Sequence, residues 1–306
     1  MVKKYIIAID LGGTNLKLAL CNSSFRIIAK SILSTRQFRS KESLIQAIVD
    51  AINSFLKSRK LSKRQILGVG MGLPGPIDTR RGLVHFFPNI PGWKEVFLKK
   101  ILERKLGLRV FLDNDANLMS LAEFKLGAAK GSVNAICITL GTGVGGGIII
   151  DGNLYRAEGF AAGEIGHVPI NEVGPKCNCG GTACLERYIG NNRIKEFANK
   201  VFGREISLEE ISSLAKKRNP KAVKIWQTVG THLGVALVGQ VNMLNPDCIV
   251  IGGGVANAGK ILFDRVKQVI LQRAMSIQAK RVKVCKAKLG YDAGIIGAAI
   301  LVAESI

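Results

Sequence analysis

Cys177, Cys179 and Cys184 form a C-x-C-x4-C pattern that begins ten residues after His167. Three thiolates and an imidazole complete a tetrahedral Zn²⁺ set, and four protein ligands leave no position for water, so the expected ion is structural. A disulfide is the weaker reading, because a chain in a reducing compartment keeps its thiols. The other cysteines, Cys21, Cys137, Cys248 and Cys285, lie in apolar strand-like runs and read as core.

The second chemistry is anion binding. "ITLGTGVGGGIIIDG", residues 138–152, spells G-x-G-x-x-G through Gly141, Gly143 and Gly146, with Glu164 downstream. A dinucleotide-binding turn of this type follows a strand and opens a helix. Here Ile148, Ile149 and Ile150 follow, then Asp-Gly, which predicts strand, glycine loop, strand. "KYIIAIDLGGTNLKLALCN" at the N-terminus has the same layout, which predicts an internal duplication. Glycine loops let backbone N–H groups approach an anion closely. Thr14 and Thr142 add hydroxyls at corresponding places, so the two hairpins suit a polyphosphate held between two lobes. A third cluster, Gly252, Gly253 and Gly254, follows a buried strand at 248–251 and precedes a helix from about Ala258. It suits close approach by a nucleotide base or ribose, and equally a tight strand–helix contact. A long helical pattern ahead of it stops at Asn245-Pro246.

These residues need elements to hold them. A chain of 306 residues has room for two domains, and 47% apolar with 22% charged residues is typical of a globular protein. The apolar run in "MVKKYIIAIDLGG" is short and broken by an Asp, so it predicts neither a signal peptide nor a membrane span, and the expected location is the cytoplasm. Lys and Arg number 44 against 22 Asp and Glu, a net charge of +22. The basic residues are scattered; the densest groups, "KSRKLSKR" and "KKRNPKAVK", fall in polar connections or helix ends. That predicts a basic solvated surface, with no nucleic-acid or membrane partner.

"DLGGTN" at 10–15, "GLPGPID" at 72–78, "LDNDAN" at 112–117, "LGTGVGGGI" at 140–148, "EIGH" at 164–167 and "CNCGGTACLE" at 177–186 stand in this order. Together they resemble the ROK family (repressors, open reading frames, kinases) of bacterial sugar kinases, within the actin-like ATPase superfamily. The resemblance covers nearly the whole chain, and its last motif is the most specific. It implies an α/β, two-lobed actin-like (ribonuclease H-like) ATPase fold with duplicated β-hairpin phosphate loops. The expected division is a small lobe, 1–112, onto which a C-terminal helix within 291–306 packs back, and a large lobe, 113–290, with the zinc loop and adenosine site. ATP and sugar would occupy the cleft.

The resemblance also implies roles. Phosphoryl transfer to a hydroxyl needs a carboxylate that takes its proton. Asp115 would be that base and Asn114 a sugar contact, although Asx residues at a strand–helix junction also cap helices. Asp10 would organise Mg²⁺ and phosphate. Gly12, Gly13, Thr14, Asn15, Gly141, Thr142, Gly143, Gly252, Gly253 and Gly254 would line the ATP site. Pro74, Gly75, Asn89, Glu164, His167 and Glu186 would join Asn114 on the sugar. His167, Cys177, Cys179 and Cys184 agree with the family's zinc ligands, whereas Ala183 stands where the family usually has Gly.

The implied activity is ATP-dependent phosphorylation of a hexose at its 6-hydroxyl. Glucose is the first choice because "PGPID", "FFPNIPGW" and "CLERYIGNN" look most like bacterial glucokinases. Fructose, mannose and N-acetylhexosamines are alternatives, and a homodimer or homotetramer is expected. The family's repressors carry a helix-turn-helix domain ahead of the sugar-binding part. The first phosphate loop starts at Asp10, so a DNA-binding regulator is the less favoured reading.

Overall fold

The computed structural model describes residues 4–35, 38, 40–87 and 93–306. They form two compact units. The first takes the described residues up to Ala122 with Arg156–Ala162 and Tyr291–Ile306, and the second takes Glu123–Tyr155 and Gly163–Gly290.

The first unit is built on strands β1 (Tyr5–Leu11), β2 (Asn15–Asn22), β3 (Ile27–Ser34) and β4 (Ile66–Leu73). A small sheet of β5 (Ile77–Asp78), β6 (Leu83–Phe86) and β7 (Lys94–Val96) follows, then β8 (Val110–Asn114). The main sheet has the order β3-β2-β1-β4-β8; β1, β2 and β3 pair antiparallel, and β4 and β8 continue parallel to β1. Helices cover both faces, so Ile6 to Ile9 of β1 form an unbroken buried apolar run rather than alternating. Ile7 and Ile9 pack into a core shared with α1 (Lys41–Ser58) and α2 (Leu98–Leu106). Ile6 and Ala8 pack with Ile295, Ala298 and Val302 of the C-terminal helix (Ala293–Glu304). Helix α1 forms because Leu44, Ile45, Ile48, Val49, Ile52 and Phe55 recur at helical spacing, and a Ser40–Ser43 capping box starts it.

The second unit repeats this plan. Strands β9 (Ala135–Leu140), β10 (Val144–Ile150), β11 (Asn153–Tyr155), β12 (Cys248–Gly252) and β13 (Lys283–Lys286) give the order β11-β10-β9-β12-β13. As in the first unit, a hairpin and its antiparallel neighbour are joined by two parallel strands. The internal duplication predicted from two hairpins therefore extends to whole sheets. The unit's helices, after α3 (Asp115–Lys125) whose last turn belongs to it, are α4 (Glu186–Ile189), α5 (Asn191–Phe202), α6 (Leu208–Lys216), α7 (Pro220–Leu244), α8 (Lys260–Arg273) and α9 (Ser276–Arg281). Helix α7 starts with an Asn219 cap and Pro220 in its first turn, and stops at Asn245, whose φ is 42°. Buried Glu123 accepts backbone N–H groups of Ala128, Lys288 and Leu289 at 2.7, 3.0 and 2.7 Å, tying two loops together. No helix among the described residues is long and apolar enough to cross a membrane.

Candidate active site

In the first unit, sheet register gathers the chemistry at one end. Asp10 pairs with Gly72, and Gly72 pairs with Asp113, so two carboxylates and the start of "GLPGPID" lie in one row near the carboxyl ends of three parallel strands. Open α/β sheets bind ligands at that end. Asp10 also pairs with Lys17 across the hairpin, and Lys17 Nζ stands 2.8 Å from Asp10 Oδ2 and donates to the Tyr291 carbonyl at 3.0 Å. A Cβ on Gly294 would sit 2.8 Å from Asp10 Cγ, so the first turn of the C-terminal helix abuts this carboxylate.

Beyond Asp113 the chain turns from strand into helix. Asn114 Oδ1 accepts from Ala116 N at 2.9 Å, so its capping role is present, while its Nδ2 donates to the Gly75 carbonyl at 3.2 Å. Asp115 is the first residue of α3. Asn114 and Gly75, both predicted sugar contacts, are thus joined, and Pro74 immediately follows the last residue of β4. Asn89 lies outside the described residues. The loop between β1 and β2 carries Gly12, Gly13 and Thr14, with Gly12 N bonded to the carbonyl of Asn15, the first residue of β2, at 2.9 Å.

In the second unit, the loop Gly141-Thr142-Gly143 closes the β9–β10 hairpin through Gly141 N to Gly143 O at 2.9 Å. It is followed by strand, as the isoleucine run predicts, and not by a helix. Glu186, at the start of α4, accepts from Val144 N through Oε2 at 2.9 Å. A Cβ on Gly143 would fall 2.5 Å from that same oxygen. At the third cluster, a Cβ on Gly253 would lie 2.1 Å from Leu140 O, and its φ is 84°, so tight packing accounts for this glycine. Gly254 has open space around it and begins a 3-10 turn, Gly254–Ala258, ahead of α8.

The metal-type cluster is compact: the ligand atoms of His167, Cys177, Cys179 and Cys184 all lie within 4.8 Å of one another. Cys177 Sγ is 3.7 Å from His167 Nδ1, and Cys179 Sγ is 3.6 Å from Cys184 Sγ. A zinc tetrahedron with Zn–S near 2.3 Å has edges of about 3.8 Å, so the four side chains fit that ion. Cys177 N to Gly181 O and Gly180 N to Cys177 O, at 2.9 and 3.0 Å, shape the turn. A backbone N–H from Gly181 holds the Cys179 thiol below its ordinary pKa, whereas burial pushes Cys184 up to about 12. Ala183, where the family usually has Gly, is fully buried with φ at 58°, a conformation that glycine adopts more readily. His167 turns Nδ1 to the cysteines and Nε2 to Glu164, whose Oε2 is 3.9 Å away. One ring can therefore serve a metal and a second partner.

A ROK family profile matches residues 6–305. The chain belongs to the ROK family. It is 34% identical to a glucokinase of Halalkalibacterium halodurans, over 99% of this chain and 96% of that one. A ROK glucokinase from Streptomyces griseus, solved with glucose and AMPPNP, superposes with a TM-score of 0.82 at 30% identity, covering 98% and 99% of the two chains. A xylose repressor of Caldicellulosiruptor bescii is 30% identical over 97% of this chain and 77% of its own length. The duplicated α/β architecture is the actin-like ATPase fold of the ROK sugar kinases.

Three contributors escaped sequence reasoning: Lys17, Arg156 and Asp113. Lys17 was within reach, because counting outward from the first hairpin loop places it opposite Asp10. Arg156 carries no local signal.

Proposed function

We propose that this ROK protein is a cytoplasmic ATP:hexose phosphotransferase that transfers the γ-phosphoryl group to the 6-hydroxyl of glucose. The observation that carries the reading is the join of β8 to α3, where Asn114 and Asp115 stand at a strand end in a chain alike over its whole length to a glucokinase solved with glucose and AMPPNP. Asp115 takes the hydroxyl proton as general base, and Asn114 with Pro74, Gly75 and Asn89 orients the sugar. Glu164, His167 and Glu186 contact further hydroxyls.

The glycine hairpins, Gly12 to Asn15 and Gly141 to Gly143, offer backbone N–H groups to the phosphates, and in the Gly252–Gly254 cluster Gly254, with open space around it, is the glycine the adenosine would approach. Asp10, ion-paired with Lys17, would hold Mg²⁺, which when bound would screen charge on the phosphates. Zn²⁺ on His167, Cys177, Cys179 and Cys184 would be structural and would hold Glu164 and His167 in shape. A homodimer or homotetramer is the expected assembly.

The deciding experiment is a coupled ATP assay over glucose, mannose, fructose and N-acetylhexosamines, with glucose expected to give the highest kcat/KM. The repressor relative motivates a second reading, a sugar-responsive DNA-binding regulator. Both glycine hairpins and the Asp115 position favour the kinase. Sequence-specific DNA retardation with no sugar-dependent ATP turnover would reverse that choice.

A further inference from the structure

Asp113 is 1% exposed, and a buried carboxylate needs every lone pair answered. Its Oδ2 receives Arg156 Nε at 2.8 Å and Arg156 Nη2 at 2.6 Å. Its Oδ1 receives Asn114 N at 2.8 Å and Asn117 Nδ2 at 3.0 Å. Arg156 therefore grips one oxygen while the other holds the backbone that leads into Asp115. The guanidinium fork supplies both donors at once, which a lysine ammonium cannot match in direction.

Arg156 arrives from an unexpected place in the chain. It opens the segment Arg156–Ala162, which belongs to the first unit although both flanking segments belong to the second. The segment closes on itself through Ala162 N to Arg156 O at 3.3 Å, with Ala157 and Phe160 both at positive φ. Arg80 stacks over Phe160 at 5.3 Å. The loop is thus docked at both ends, by an ion pair and by a cation–π contact.

We propose that Arg156 is a positioning residue for the phosphoryl-transfer step. Through Asp113 it fixes the backbone of Asn114 and the first turn of α3, and so sets the direction in which Asp115 presents its carboxylate. The inference rests on Asp115 as general base. A misplacement of about 1 Å at a catalytic group costs on the order of a hundredfold in rate, so a support of this kind acts on kcat.

The test measures kcat, the KM for ATP, the KM for glucose and thermal midpoint for R156M, R156K, R156A, D113N, R156M/D113N and D115N. R156M is expected to lower kcat by at least about tenfold while the KM for ATP stays within about twofold. R156K should recover part of the loss. R156A should regain activity with millimolar guanidinium, a response that a fold-only role would not give. Because both partners act through one contact, R156M should add less than about threefold to D113N.

If R156M fails to fold, R156K and the guanidinium response of R156A carry the same reading. Near-normal kcat in R156M or R156K, no guanidinium response, or full additivity with D113N would overturn the inference. An inactive D115N beside a normal R156M overturns the role of Arg156 alone. A D115N enzyme that keeps a tenth of its kcat removes the base itself and the inference with it.

Discussion

Glu186 Oε2 lies 2.9 Å from Val144 N, immediately after the second glycine loop, while Glu186 follows Cys184 by two residues. One carboxylate thus ties the end of the cysteine loop to the hairpin that is proposed to hold phosphate. The proposed sugar contact and the proposed phosphate contact are thereby linked through one hydrogen bond.

The first consequence concerns Gly143. Valine there would keep backbone amides from the phosphates, and its Cβ would also strike Glu186 Oε2 at 2.5 Å. Gly143→Val should therefore raise the KM for ATP and the KM for glucose together. Initial-rate kinetics in both substrates check this, and a rise confined to ATP would show that Glu186 has no part in sugar binding.

Glu186→Gln retains an acceptor for Val144 N but loses the charge. Charge-assisted hydrogen bonds are roughly twice as strong as neutral ones, so the loop should loosen without unfolding. We expect glucose KM to rise about tenfold, with the thermal midpoint nearly unchanged. Isothermal titration with glucose alone separates this from an effect on turnover.

Removal of the proposed base is the sharpest test of the mechanism. Asp115→Asn should preserve the fold and glucose binding and lower kcat by at least about a thousandfold. A variant with a tenth of the parent kcat would exclude Asp115 as the base.

Metal analysis should find one zinc per chain. Cys179→Ser should weaken sugar binding by roughly ten- to a hundredfold, the usual scale for a disturbed metal-site shell, with ATP binding little changed. His167 gives the reason, since Nδ1 faces Cys177 and Nε2 faces Glu164. Zinc-free protein with a normal glucose KM would refute the account.

His232 makes a stability prediction. Burial lowers its pKa below the ordinary 6.5; its ring packs on Tyr188 at 4.9 Å between centroids. Arg187, Arg193, Lys200 and Glu196 line the same cavity, of about 350 Å³. As pH falls through 6.5 the unfolded chain takes up the proton first, so folding stability declines from there and levels off below the folded pKa. His232→Gln should flatten that part of the curve in urea titrations at pH 5 to 7.

Much was legible in the sequence because it rests on local rules. Ile148 to Ile150 after the glycines settled strand over helix, since β-branched residues suit a pleated surface. The short spacing of Cys177, Cys179 and Cys184 confines three thiols to one small loop whatever the rest of the chain does. Pro246 had to end α7, because proline cannot continue a helix. Other relations needed the tertiary structure. The row Asp10–Gly72–Asp113 depends on parallel pairing between segments far apart in sequence. Arg156 reaches Asp113 only because its loop belongs to the first unit, and Glu186 reaches Val144 only because the start of α4 packs on the β9–β10 hairpin loop. Such contacts arise from packing and long-range hydrogen bonding, and no local pattern of residue types encodes which distant backbone or carboxylate a side chain will meet.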